Sequence, residues 1–419
     1  MSEPEMTMKG DGASGLIPCD VLVFGASEIL TNQPGCGGNS MAVTAGKVVA
    51  VGDGKELRQL YSPRQLVDGQ GLLGLPGFLD GHTHPAFAVG RAEEFDWRAQ
   101  GLTYLEIAER GGGIHSSVRA VRSCGEEQLT QIVAGHFRRM LRHGTTACEA
   151  KSGYGLSVED ELKSLRAIRS ASAQTGMTIY PTCLAAHMLP LEYKDRPDKY
   201  LQIICNELLP AVKEQKLAVA ADIFIETGAF DVVRARTYLE TAKDLGFALR
   251  VHADQFESLG GTELAVELGA QSVDHLEVLH DSGMEALAMT RKTYVGLLPS
   301  VPHFLRQQAD APARRLIQAG VPYFVATDFN PGSSYSASLP EAAHFARVRL
   351  NLSAQEAFLG ITQHAAASLG VADVKGSLAP GFDADFVLCD LPDLHHLGYG
   401  FGENPVWRVF VAGKELNLS

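Results

Sequence analysis

The chain is short of positive charge: 36 Lys and Arg stand against 49 Asp and Glu, a formal net charge of −13. That balance excludes a nucleic-acid partner, which calls for a basic stripe along the phosphate backbone. It leaves room for a small anion held by one or two well-placed cations. Cysteine is sparse too: seven residues, scattered, with no CxxC pair. This is the pattern of a reduced, cytoplasmic protein rather than of a disulfide framework. No apolar run reaches the ~18 residues of a membrane span. The first residues, MSEPEMTMKGDGASG, are polar and acidic, unlike a signal or transit peptide. No P-loop or dinucleotide spacing occurs. The glycine-rich stretch RGGGIHSSVRAVR at 110–122 reads instead as a donor-rich loop over a mouth, with Arg119 and Arg122 placed to steady it.

What is present is core-forming material: 419 residues, 45% hydrophobic and 20% charged, enough for a large α/β barrel with a smaller appendage. Val-rich stretches punctuated by glycine occupy both ends: DVLVFGA, MAVTAGKVVAVG and RQLVDGQG early, ADFVLCDL and PVWRVFVAGKEL late. Neither group makes a stable sheet alone. Residues 1–73 and 375–419 are therefore expected to form one composite β-sandwich domain. Between them, 74–374 alternates short apolar strands with helical stretches: LLGLPGFLD, GTTACEA, TIYPTCLAA, VAADIFIE, FALRVHA, QSVDHLE, TYVGLLP and YFVATD. Such alternation implies a parallel sheet covered on both faces. The number of units favours a (β/α)₈ TIM barrel over an open doubly wound sheet.

The strand candidates end in ionisable residues: His82 and His84, Glu149 and Lys151, His187, Glu226, His252, His275 and Asp328. In a barrel these meet at the C-terminal mouth, where barrel enzymes keep their sites. His82 and His84 are spaced i, i+2, so an extended backbone carries both on one face. With His252 and Asp328 they offer three imidazoles and a carboxylate. That set suits one divalent ion, Zn or Fe, with a position left for water. A bound ion would lower the pKa of water toward ~7 and polarise a carbonyl. His275 and Asp328 are the candidate proton carriers, and His187 the candidate contact to a substrate carbonyl or a second metal.

The finer motifs carry a resemblance over the whole chain: GHTHPAFAVGRAEEF (81–95), GLTYLEIAERGGGI (101–114), EAKSGYGLSVEDELKSLRAI (149–168), LAAHMLP (184–190), HADQ (252–255), GAQSVDHLE (269–277) and ATDFNPGS (326–333). The sequence resembles the imidazolonepropionase family of the amidohydrolase superfamily. The resemblance implies hydrolysis of 4-imidazolone-5-propanoate to N-formimidoyl-L-glutamate in histidine degradation, and a homodimer. It implies that Arg91, Tyr154, His187, Gln255 and Ser333 contact the substrate, that Tyr154, Asn330 and Gly332 contact the product, and that Tyr104 lies in the pocket. Arg91 is the natural partner of the propionate tail, with a salt bridge to Glu93 or Glu94 as the plainer alternative. Gln255 stands where some members carry Glu and cannot act as a base. This leaves the proton work to His275 and Asp328. His303 stands where an aromatic is expected. Lys151 invites a carbamylated, two-metal reading, against which its place in KSGYGL favours a structural or electrostatic role. A purine or pyrimidine deaminase of the same superfamily and a non-enzymatic scaffold remain as rivals.

Overall fold

Eight short runs of small and branched apolar residues pair side by side in one parallel sheet of the computed structural model, which describes residues 15–102, 106–107 and 110–417. We label them β1 (Phe78–Asp80), β2 (Thr145–Lys151), β3 (Thr178–Ala186), β4 (Ala220–Ile225), β5 (Ala248–Ala253), β6 (Ser272–His275), β7 (Tyr294–Leu297) and β8 (Tyr323–Val325). Strand order follows chain order from β1 to β8. The first and last strands meet just beyond their ends, where His84 N donates to the Phe329 carbonyl at 2.9 Å and Asp328 N to the His82 carbonyl at 3.2 Å. The sheet is thus a nearly closed TIM-type barrel, sealed at its C-terminal mouth.

The helices follow their local signals. Ser157 caps the helix Val158–Thr175 by accepting from Asp160 N, and Gly176 ends it in the left-handed conformation. The helix Glu126–Arg142 turns Leu129, Val133, Phe137 and Met140 onto the barrel at helical spacing.

The end strands form two further sheets. One orders Lys47–Gly52, Ser40–Thr44, Ile17–Phe24 and Tyr61–Asp68; the other Lys414–Glu415, Val406–Val411, Phe386–Cys389, Leu73–Pro76 and Glu28–Ile29. Val21, Val43 and Val67 of the first share a core with Phe386 and Phe410 of the second. The run LLGLPGFLD therefore serves two sheets, Leu73–Pro76 in an end sheet and Phe78–Asp80 in the barrel. The early β-rich stretch also contains a helix, Gly54–Leu60, which Asp53 caps through the amides of Lys55 and Glu56.

The barrel interior is polar below the mouth. Register sets Phe224, His252, Asp274, Gly296 and Phe324 abreast on consecutive strands, with Asp222, Arg250 and Ser272 one layer down. Gly296 is a requirement of this layer, because a Cβ there would lie 2.4 Å from Asp274 Oδ1 and 2.9 Å from the Phe324 ring. Gly296→Ala is expected to cost about 1–3 kcal/mol of stability by overpacking. Gly135→Ala, in the helix Glu126–Arg142 where a Cβ meets nothing within 4 Å, should instead stabilise by about 0.5–1 kcal/mol. Chemical denaturation midpoints of the two variants check both signs.

Candidate metal centre and active site

β1 ends at Asp80, whose carboxylate accepts from Thr327 N at 3.1 Å and Thr327 Oγ1 at 2.6 Å. This ties the HxH turn to the segment after β8. His82, His84 and His252 converge there, each buried, with ligand atoms within 4.8 Å of one another. The Nε2 atoms of His82 and His84 are 3.1 Å apart, and those of His84 and His252 3.3 Å apart. Asp328 Oδ1 stands 3.4 Å from His82 Nε2 and 3.2 Å from His84 Nε2. The φ angles of His275 and Asp328 are +86° and +49°. Such backbone is rare for non-glycine residues and gathers at functional sites.

The other ring nitrogens explain the convergence. His82 Nδ1 is 2.7 Å from Asp274 Oδ2 and His252 Nδ1 is 3.0 Å from Asp222 Oδ1. A carboxylate can only accept, so both Nδ1 atoms carry the proton and both Nε2 lone pairs face the centre. Two lone pairs and the Asp328 oxygen turned toward one point repel unless a cation lies between them. A tetrahedral shell with bonds of ~2.0–2.1 Å separates its ligand atoms by about 3.3 Å, which these spacings match.

Charge points the same way. Glu149, Asp222, Asp274 and Asp328 are all buried, against the buried cations Lys151 and Arg250. Burial opposes the charge on Asp222, yet His252 and Lys151 hold it well below the usual carboxylate range. Burial likewise opposes the charge on Asp328, and His82 and His84 hold it low. Burial and the Lys151 ammonium oppose a charge on His82, but the Asp274 carboxylate outweighs them and raises it to about 9; the proton this shift places on Nε2 is the one a bound ion would displace. Burial pushes His252 down to about 4 despite Asp222, and His84 well below its ordinary value despite Asp328.

Lys151 lies under the cluster, fully buried, with Nζ 2.8 Å from Glu149 Oε1 and 2.7 Å from Asp222 Oδ2. A carbamate at Nζ would set a third anion between two carboxylates. The electrostatic role therefore stands and the carbamylated reading does not.

A cavity of about 530 Å³ opens above the cluster. It is lined by His84, Arg91, Tyr154, His187, His252, Gln255, His275, Asp328, Asn330, Gly332 and Ser333, while His82 lies fully buried behind it. Tyr104 falls outside the described residues. His303 is exposed, its ring 4.5 Å from that of Phe345, and lines a separate cavity. The aromatic at this side of the pocket is its neighbour Phe304. Glu226 does not reach the cavity, since its carboxylate accepts from the amides of Thr227, Phe256 and Glu257 and shapes a loop.

Two expected contact residues take sharper forms. His187 Nδ1 is 3.0 Å from the Gly153 carbonyl, so that nitrogen must donate. Burial, helped by His252, pushes His187 down to about 3. The neutral ring then keeps a lone pair on Nε2, which can receive an N–H. Asn330 is committed to its own loop. Its Nδ2 donates to Asp328 O at 2.7 Å and Oδ2 at 2.9 Å, and its Oδ1 accepts from Gly332 N at 2.7 Å and Ser333 N at 2.8 Å.

Arg91 lines the cavity, and its Nε lies 3.8 Å from Glu94 Oε2, the ion pair the sequence offered as the plainer alternative. Its guanidinium rests on Gly332, where a Cβ would lie 1.1 Å from Nη2. The glycine-rich loop does reach this mouth. Gly113 and Ile114 line the cavity, Arg119 holds the Gly111 carbonyl, and Arg122 donates to the carbonyls of Gly155 at 2.7 Å and Leu156 at 2.9 Å.

Sequence reasoning passed over Asp222, Asp274, Glu277 and Arg98. Glu277 Oε1 is 3.5 Å from His275 Nδ1, and Arg98 lines the cavity beside Arg91. For the two aspartates a signal existed, an acid inside an otherwise apolar strand in VAADIFIE and QSVDHLE.

A parallel barrel with a histidine cluster at its mouth defines a class of metal-dependent hydrolase, and the pattern of the Amidohydrolase family matches residues 73–416. Imidazolonepropionase of Rubrobacter xylanophilus is 44% identical over 381 residues, 90% of this chain and 91% of that protein. Imidazolonepropionase of Caldanaerobacter subterraneus is 39% identical over 404 residues, 94% of this chain and 97% of that protein. The chain belongs to the amidohydrolase family and, within it, to the imidazolonepropionases. Among solved structures, an adenosine deaminase from Xanthomonas campestris with bound zinc shares the fold at a TM-score of 0.73 and 20% identity, covering 96% of this chain and 93% of that one. Guanine deaminase of E. coli does so at 0.73 and 16%, covering 94% and 98%.

Asp274→Asn removes the acceptor that fixes the His82 tautomer. It is expected to weaken divalent-metal retention by about 10- to 100-fold, as read by competition with a chromogenic chelator.

Proposed function

We propose that the chain hydrolyses 4-imidazolone-5-propanoate to N-formimidoyl-L-glutamate, with one divalent ion, Zn or Fe, held by His82, His84, His252 and Asp328. One observation carries the reading: a cluster suited to a metal ion and an arginine-lined wall share one cavity. When bound, the ion supplies an acidified water and a polarised carbonyl.

The rest falls to the chain's own side chains. His275 adjoins the centre, its ring 5.9 Å from that of His82 and 5.4 Å from that of His252. It orients the water that adds to the ring carbonyl carbon. Asp328 takes a proton from that water and passes it to the leaving ring nitrogen as the C–N bond breaks. The Asn330 amide fixes the second Asp328 oxygen at 2.9 Å, so one oxygen stays aimed at the reaction centre. His187 receives a ring N–H on its Nε2 lone pair. Gln255, buried at the cavity wall, hydrogen-bonds the ring and takes no proton. Arg91 holds the propionate, which fixes the ring against the centre and turns addition of water into an oriented, effectively unimolecular step.

A deaminase acting on an uncharged base has no use for the arginine subsite. Turnover is read as loss of imidazolone absorbance. It is expected with metal-loaded protein, absent after dialysis against a chelator, and restored by Zn or Fe. No turnover by protein shown to contain metal would remove the reading. His275→Asn should lower kcat by about 10²- to 10⁴-fold, with a smaller change in KM, as steady-state kinetics would show.

A further inference from the structure

The tail subsite holds more positive charge than one arginine supplies. Arg98, on the helix Ala92–Ala99, lines the same cavity as Arg91. Its Nη2 donates to the Gly332 carbonyl at 2.8 Å, and its guanidinium carbon lies 5.6 Å from the centre of the Phe304 ring. Both contacts fix the fork. Its Nη1 is buried with no hydrogen-bond partner among the described residues, and so is Arg91 Nε. The nearby carboxylate is Glu94, whose Oε1 already accepts from Gly113 N at 3.0 Å and Ser116 Oγ at 3.2 Å. Among the described residues two guanidinium groups thus face the one carboxylate of Glu94, and one positive charge is left over. Burial, with Arg91 beside it, lowers the Arg98 pKa, the mark of a cation lacking its full complement of negative charge.

Gly332 fixes both cations at once. The Arg91 guanidinium occupies the place a Cβ would take, and the carbonyl holds Arg98. The buried, unpaired Nη1 is then a donor held in place beside the cavity that Arg98 lines.

We propose that Arg98 is the specificity-determining residue of the tail subsite: Arg91 is offset by Glu94, and Arg98 carries the uncompensated charge that selects a singly charged carboxylate over a neutral tail. This rests on the hydrolytic reading above and extends it. A neutral tail would leave the buried charge unmatched, even where an amide carbonyl accepts from its N–H groups.

The test is the ratio of kcat/KM for the propanoate substrate to kcat/KM for its propanamide analogue, in wild type, Arg98→Met and Arg98→Lys. In Arg98→Met the acid-to-amide ratio is expected to fall on the order of 10- to 100-fold, with the loss on the acid mainly in KM. Arg98→Lys keeps the charge without the fork and should retain more of the ratio than Arg98→Met. It serves as the test variant should Arg98→Met not fold. A ratio unchanged in both variants overturns the proposal. So does an equal loss on acid and amide, which assigns Arg98 a purely structural part. Wild type that fails to turn over the propanoate removes the hydrolytic reading itself, which separates the two failures.

Discussion

The Lys151 ammonium, buried between Glu149 and Asp222, is the contact on which the site depends. Its two partners diverge into the two halves of the metal cluster. Asp222 turns its other oxygen to His252 Nδ1. Glu149 accepts from the amide of Thr83 at 3.2 Å, and Thr83 Oγ1 donates back to the Glu149 carbonyl at 2.6 Å. Thr83 is the residue between His82 and His84, so one cation sets both the HxH turn and the His252 tautomer. A buried pair is a poor source of net stability, and removing one partner is severe because a charge is left unmatched. The value of Lys151 lies in geometry: it holds two carboxylates side by side where they would otherwise repel or take up protons.

The segment after β8 plays the matching part at the mouth. Thr327 anchors it to Asp80, Asp328 turns its carboxylate to the histidines, Asn330 closes the turn, and Gly332 carries the two arginines. On the proposed reading, reaction centre and tail subsite therefore sit on one short, internally hydrogen-bonded stretch. The distance between the bond to be broken and the carboxylate that orients it would then be set by this turn rather than by packing between remote elements. Effective molarity demands such fixed spacing.

This division also explains what could be read beforehand. Barrel strands and the convergence of His82, His84, His252 and Asp328 were legible because strand ends share one direction in a parallel barrel. Two features blurred the strand reading. The proline in LLGLPGFLD marks a change of sheet within one apolar run, and Gly54–Leu60 is a helix whose cap, Asp53, sits in a glycine-rich stretch. Asp222 and Asp274 act through contacts made only when separate strands lie in register, so each looks in sequence like a stray acid in a strand. Arg98 looks like one face of a surface helix, and the hydrogen bond that holds its fork is to Gly332, over 230 positions later. The proton placement on His187 needs the Gly153 carbonyl, which no motif supplies.

A chain of net charge −13 that binds an anion meets a constraint the sheet geometry does not address. Long-range attraction is unfavourable, and at physiological salt it is screened within about 8 Å. Selection of a carboxylate must therefore be local and desolvated, where a charge is worth more than at the surface. Opposed fields in one cavity meet that need, with a carboxylate-rich floor that calls for a divalent ion and an arginine-rich wall that calls for an anion. A substrate with a polarisable carbonyl at one end and a carboxylate at the other satisfies both, and its orientation in the cavity follows from charge before any shape is considered.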